Sequence, residues 1–151
     1  MVIYLGADHR GFKLKESIKD FLKNKGYEVA DMGNIKYDEK DDYVDFAKEV
    51  SKKISMSPKD DRGILICGSG AGMDTTANKF RKVRSTLGLS GDQVYEARHD
   101  DDVNILSIAS NFTNESDSQK MVSVFLETPF GGEERHQRRL DKISQIESQW
   151  S

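Results

Sequence analysis

A single cysteine, Cys67, in 151 residues excludes an internal disulfide and any zinc centre built on several thiols. Prolines number only two, Pro58 and Pro129, and no proline-rich or low-complexity linker divides the chain. Apolar runs are short, far below the roughly 18 residues of a membrane span. The opening MVIYLGADHRG lacks the basic-then-apolar layout of a secretory signal, so a cytoplasmic setting with a reduced thiol is expected. Positive charge is not in excess either. Lys plus Arg total 23 against 26 Asp plus Glu, a formal charge of -3 that gives no global case for nucleic acid or an anionic membrane. The three histidines, His9, His99 and His136, fall in no metal-ligand spacing, and neither H-E-x-x-H nor H-x-x-E-H occurs, so no metal is implied.

What remains is a chain of one-domain length, residues 1–151, with alternating patterns. Short β-branched and aliphatic runs at Val2–Leu5, Glu28–Met32, Gly63–Cys67, Arg84–Leu87 and Asn104–Ile108 read as five strands. Between them helical spacing recurs, first in Phe12, Leu14, Ile18, Phe21 and Leu22, then in Phe46, Ala47, Val50 and Ile54. Further helices are expected over Gly72–Lys79, Val94–Arg98, Glu115–Glu127 and Arg135–Gln149. Such alternation predicts a parallel sheet with helices on both faces, three α/β/α layers, and ligands beyond the carboxyl ends of the strands. Attention therefore falls on the junctions Gly6–Gly11, Cys67–Gly72 and His99–Asn104. Asn34–Asp42 and Met56–Arg62, the most polar connections, are expected to be the most mobile.

The junction C-G-S-G-A-G ends an apolar strand in a glycine loop at a helix start, where backbone N–H groups can converge on an anion and favour a thiolate. The plain alternative is a half-buried Cys67 that fills the strand end. The loop lacks Gly-Lys-Ser/Thr and does not fit G-x-G-x-x-G, so a nucleotide is weakly supported. Asp8 and His9 in GADHRG suit contacts to a substrate hydroxyl or phosphate; as an alternative, Asp8 caps a helix and His9 is exposed. Arg135 and Arg139, at i and i+4 in EERHQRRLDKI, form either a phosphate clamp with His136 alongside or a solvated basic face paired with Glu133, Glu134 and Asp141.

Five blocks in order, GADHRGFKLKESIKDFLKNKGYEVADMG, DDYVDFAKEV, RGILICGSGAGMDTTANKF, ARHDDDVNIL and ERHQRRLDKI, together resemble the ribose-5-phosphate isomerase B / galactose-6-phosphate isomerase family over about residues 1 to 147. The resemblance implies a Rossmann-like subunit, a homodimer or tetramer with active sites shared between subunits, and isomerisation of an aldose to a ketose without metal or other cofactor. It places the chain in carbohydrate metabolism, at the pentose phosphates. It makes Cys67 the catalytic base with Ser69 beside it, and the amides of Gly68, Gly70, Ala71 and Gly72 a cradle for an enediolate oxygen. Asp8, His9 and Tyr43 would line the sugar pocket, Asn78 would support the loop, and Arg135 and Arg139, on a C-terminal helix of about 135–149, would reach the partner's site.

The sequence departs from the family pattern R-x-H-N-x-x-N-V-L. Asp100 stands at the ring-opening histidine and Asp101 at the following asparagine, with His99 one position early. Asp100 could serve in acid–base exchange only if burial raised its pKa. Asn111 replaces a family arginine in L-x-x-G-x-R, so one phosphate contact is expected to be missing, and an extra residue brings Glu133 and Glu134 near the clamp. Two alternatives stay open: an isomerase for another sugar, a hexose phosphate or one without phosphate, and a non-catalytic sugar-phosphate-binding or heteromeric subunit.

Overall fold

The computed structural model describes residues 1–150. Five strands, β1 (Val2–Ala7), β2 (Glu28–Asp31), β3 (Arg62–Cys67), β4 (Ser85–Leu87) and β5 (Ile105–Ala109), form one parallel sheet in the order β2-β1-β3-β5-β4. The expected α/β/α architecture is thus present. Strands buried on both faces carry continuous apolar runs, which is how these segments read in the sequence. Ile64 and Ile66 pack on one side with Ile3, Leu5, Ile18, Leu106 and Phe125, whereas Leu65 and Cys67 pack on the other with Val50, Ile54 and Met73.

The helices are α1 (Phe12–Asn24), α2 (Tyr43–Met56), α3 (Ala71–Ala77), α4 (Gly91–Asp101), α5 (Glu115–Glu127) and α6 (Glu134–Trp150). Helix α4 begins earlier than the apolar pattern suggests because Ser90 caps it, accepting from the N–H of Gln93 at 3.2 Å, while Gln93 Oε1 accepts from the N–H of Leu89. Asn114 caps α5 in the same way through Asp117. None of the helices is long and apolar enough to cross a membrane.

Strand order reverses between β1 and β3, because β2 lies on one side of β1 and all later strands on the other. At such a switch point the loops diverge and leave a crevice at the carboxyl edge. The loop after β1, which carries Asp8 and His9, and the end of β3 at Cys67 meet there.

One expectation needs correction. His99–Asn104 does not lie at the carboxyl edge: His99, Asp100 and Asp101 form the last turn of α4 and precede β5. Cys67 pairs with Ala109 and Gly63 with Ile105, so the start of β5 is four steps, about 13 Å, from the sulfur's end of the sheet. A helix that feeds a parallel strand must end at that strand's amino edge, and a run of Asp before an apolar stretch does not reveal which edge it marks.

Candidate active site

Cys67 ends β3 and is 4% exposed, yet its residue lines an open cleft of about 320 Å³ together with Asp8, His9, Arg10, Asp41, Tyr43 and Ser69. Cys67 therefore packs into the α2–α3 side of the core and borders the crevice. Gly70, at the start of α3, adopts φ 73°, a left-handed conformation that disfavours a side chain, and it packs against Leu87. Gly72 lies under the Tyr43 ring, where a Cβ would stand 2.6 Å from Cζ. The carbonyls of Cys67 and Gly68 accept from the N–H groups of Ser110 and Asn111, at 2.9 and 3.0 Å. Tied from behind in this way, the loop keeps the N–H groups of Gly68, Ser69 and Gly70 without a protein acceptor among the described residues. The Ala71 N–H makes only a long 3.4 Å contact to Ser69 Oγ.

Asp8 is buried, and Oδ1 accepts from the N–H groups of Arg10 and Gly11, both at 3.0 Å. That half of the carboxylate holds the loop into α1, and Oδ2 is left for the cleft. His9 is fixed by a residue the sequence reading passed over. Asp41 Oδ1 lies 2.7 Å from His9 Nδ1 and accepts the His9 backbone N–H at 3.0 Å, while Oδ2 accepts from Asn34. Burial pushes the Asp41 carboxyl up, but the hydrogen bonds from His9 and Asn34 outweigh it and hold the group below the ordinary carboxylate range. A carboxylate on Nδ1 places the ring proton there and leaves Nε2 as the nitrogen available to a substrate. The Asn34–Asp42 connection is accordingly pinned at both ends, by Asn34 N–H to the Ala7 carbonyl and by Asp41 to His9.

A second group gathers where α4 ends and α6 begins. His99 stacks on Tyr95, lies against Gly131 and has Nδ1 2.8 Å from Asp100 Oδ1. Asp100 is 43% exposed, and its hydrogen bond with His99, ahead of a smaller opposing effect of desolvation, holds its carboxyl below the usual range. The raised pKa that proton donation by Asp100 required is therefore not what this environment produces. Asp100 instead orients His99. Asp101 is exposed, its backbone carbonyl accepting from Arg84. Arg135 and Arg139 are exposed on α6, and neither pairs with Glu133, Glu134 or Asp141 among the described residues. Both arginines are thus solvated, and the acid pairing expected for a basic face is absent among the described residues.

His99, Asp100, Glu133 and His136 bring four potential metal donors within 4.8 Å of one another, a proximity that sequence spacing could not reveal. His136 is 2% exposed, and its Nε2 accepts from Arg135 Nε at 3.1 Å, which leaves the ring proton on Nδ1, the nitrogen facing the two acids. In that tautomer Nδ1 is a donor rather than a ligand. Asn78, expected as support, ties α3 to β4: Nδ2 donates to the carbonyls of Asp74 and Ser85, and Oδ1 accepts from the N–H of Ser85.

The model of the ribose/galactose isomerase family matches residues 3–143. The chain belongs to the ribose/galactose isomerase family. Its enzyme class is accordingly aldose–ketose isomerase. Among curated relatives, the probable ribose-5-phosphate isomerase B of Mycoplasma genitalium is 41% identical over 97% of this chain and 96% of its own length. Ribose-5-phosphate isomerase B of Mycobacterium tuberculosis is 34% identical over 97% and 90%. Among solved structures, the Mycoplasma genitalium enzyme with bound ribulose 5-phosphate superposes with a TM-score of 0.94 over 97% of this chain and 96% of that one, at 41% identity. Ribose-5-phosphate isomerase B of Clostridium thermocellum gives 0.94 over the full length of both chains, at 36% identity.

Proposed function

We propose that this isomerase interconverts ribose 5-phosphate and ribulose 5-phosphate through a cis-enediolate, with Cys67 as the base. The observation that carries the reading is that Cys67 lines a cleft at the β1/β3 switch point, beside unpaired loop amides. Removal of the C2 proton creates an oxyanion at C1, and fixed N–H donors stabilise charge best where it develops. In this scheme the thiolate takes the proton from C2 and, as a thiol, returns it to C1, while the O2 hydroxyl proton passes to O1. The amides of Gly68–Gly72 hold the oxygen, Ser69 lies beside it, and Asp8, His9 and Tyr43 orient the sugar. The likeness to an enzyme that binds ribulose 5-phosphate supports the choice of substrate.

His99, Asp100 and the two arginines lie at the other edge of the sheet, so a second copy of the chain is proposed to bring them to the cleft. Arg135 and Arg139 then hold the phosphate, and His99, oriented by Asp100 with Asp101 nearby, serves ring opening.

The test is Cys67→Ala. Isomerisation of ribose 5-phosphate and loss of the C2 proton to deuterated water are both expected to fall by about 10²–10⁴. An unchanged exchange rate removes Cys67 as the base. A wild-type protein that turns over a hexose 6-phosphate and leaves ribose 5-phosphate untouched removes the substrate assignment.

A further inference from the structure

Arg10 follows His9 in the loop after β1, and its side chain lies across the α-carbon of Gly68. A Cβ on Gly68 would stand 2.7 Å from Arg10 Cδ, 3.1 Å from a guanidinium nitrogen and 3.0 Å from Asn111 Nδ2. The guanidinium and the Asn111 amide thus converge on the first glycine of the catalytic loop. Its backbone is fixed, since the Arg10 N–H donates to Asp8 and the Arg10 carbonyl accepts from Ser110 Oγ at 2.9 Å. Its charge is uncommitted: among the described residues the guanidinium makes no ion pair and no hydrogen bond.

Three acids line the cleft, Asp8, Asp41 and Asp42, and none of them pairs with Arg10; the Asp42 carboxylate makes no hydrogen bond among the described residues. Asp8 Oδ1 is held by backbone N–H groups, and Asp41 by His9 and Asn34. Among the described residues Arg10 is the only one with a fixed positive charge that lines the cleft. It also lines an adjoining hollow of about 330 Å³ with Lys13, Ser17, Ser110, Thr113 and Glu115. That hollow adds a second cation and three hydroxyls, of which Ser17 Oγ is buried without a partner.

We propose that Arg10 is a phosphate-binding residue of this site, its planar fork holding the phosphate of the sugar phosphate beside the Asn111 amide. This rests on the sugar-phosphate reading above. It also accounts for Asn111 in chemical terms. The contact expected to be missing from the loop after β5 is supplied by the loop after β1, because both loops meet at Gly68.

The experiment compares wild type, Arg10→Gln and the double variant Arg10→Gln/Asn111→Arg. Binding of ribose 5-phosphate and of inorganic phosphate is measured by calorimetry beside steady-state kinetics. Arg10→Gln is expected to weaken both ligands by about 10- to 100-fold and to raise KM more than it lowers kcat, as loss of one charge-assisted fork predicts. The double variant is expected to recover at least part of that affinity. Unchanged affinity for both ligands in Arg10→Gln overturns the assignment, as does a loss confined to kcat. If wild type neither binds nor converts ribose 5-phosphate, the sugar-phosphate reading fails. Inorganic phosphate binding then still judges Arg10 by itself.

Discussion

The two edges of the sheet differ in how they hold their polar groups. At the carboxyl edge Cys67, Asp8 and His9 are set by strand ends and closed by short bonds: Asp8 to two backbone N–H groups, His9 to Asp41, and the glycine loop to Ser110 and Asn111. At the amino edge His99, Asp100, Arg135 and Arg139 stand on the last turn of one helix and the first turns of another, with both arginines exposed and unpaired by acids. A base and an oxyanion cradle need fixed geometry, which strands provide. Groups that must meet a ligand held by another molecule need to project, and helix ends do so. Under the proposed function the contrast is that between a preorganised half-site and one that a second copy would deliver.

The sharpest way to break this comparison is to separate the two halves. Cys67→Ala and His99→Gln are each expected to lower turnover by about 10²–10⁴ when pure. Unfolded and refolded together in equal amounts, they should recover about a quarter of wild-type activity. In the proposed dimer with shared sites, half of randomly formed dimers are mixed, and each mixed dimer would hold one site with both lesions and one with neither. Turnover by the mixture no greater than the mean of the pure variants would show that both edges serve the same chain's site, or that His99 has no part.

The carboxyl edge owes its rigidity partly to a buried cation. Lys15 is 0% exposed on α1, and Nζ donates to both oxygens of Asp31 at 2.7 Å and to the Asn34 carbonyl at 2.8 Å, which joins β2 to the loop that carries Asp41. Asp31→Asn leaves that ammonium only the more exposed Glu16 carboxylate, 3.1 Å away, and is expected to cost up to about 3–5 kcal/mol in urea unfolding. Burial raises the Asp31 carboxyl, but the hydrogen bonds from Lys15, Lys19 and the Gly33 N–H outweigh it and hold the folded-state pKa low. A depressed carboxyl contributes stability that is full above its unfolded value of about 3.9 and is lost as pH falls through the folded value. Wild type should therefore lose stability below about pH 4, and Asp31→Asn should lose less over the same range. Equal losses in the two proteins would mean that this pair does not set the acid limit.

The difference between the edges also explains what could be read from the residues. Strand ends are marked by a change from apolar to glycine or acid, so Asp8, His9, Cys67 and the loop to Gly72 stood out, as did all five strands. Asp41 did not, because its bond to His9 crosses 32 residues from a stretch that looks like polar loop. Lys15 reads as an ordinary charged helix position, since only the fold reveals that α1 lays it over Asp31. His99 and His136 are 37 positions apart, and no local spacing announces ring centroids at 6.0 Å. Local signals report on backbone; side-chain partnerships between elements arise only when the sheet is assembled.

The smallest effect concerns how much of the preorganisation at the carboxyl edge depends on Asp41. The carboxylate grips His9 at both its backbone N–H and Nδ1, so it sets the ring's position as well as its tautomer. Asp41→Ala removes both contacts and releases Asn34, and kcat/KM is expected to fall about 10- to 100-fold, in keeping with the cost of misplacing a group near reacting atoms. Asp41→Asn keeps an oxygen acceptor for Nδ1–H but loses the charge, and its loss should lie between wild type and Asp41→Ala. A role confined to folding would lower the unfolding midpoint of both variants and leave their kcat/KM at wild-type values below that midpoint. A positioning role moves kcat/KM while the protein is still fully folded, and that separation decides whether His9 works as a member of a pair.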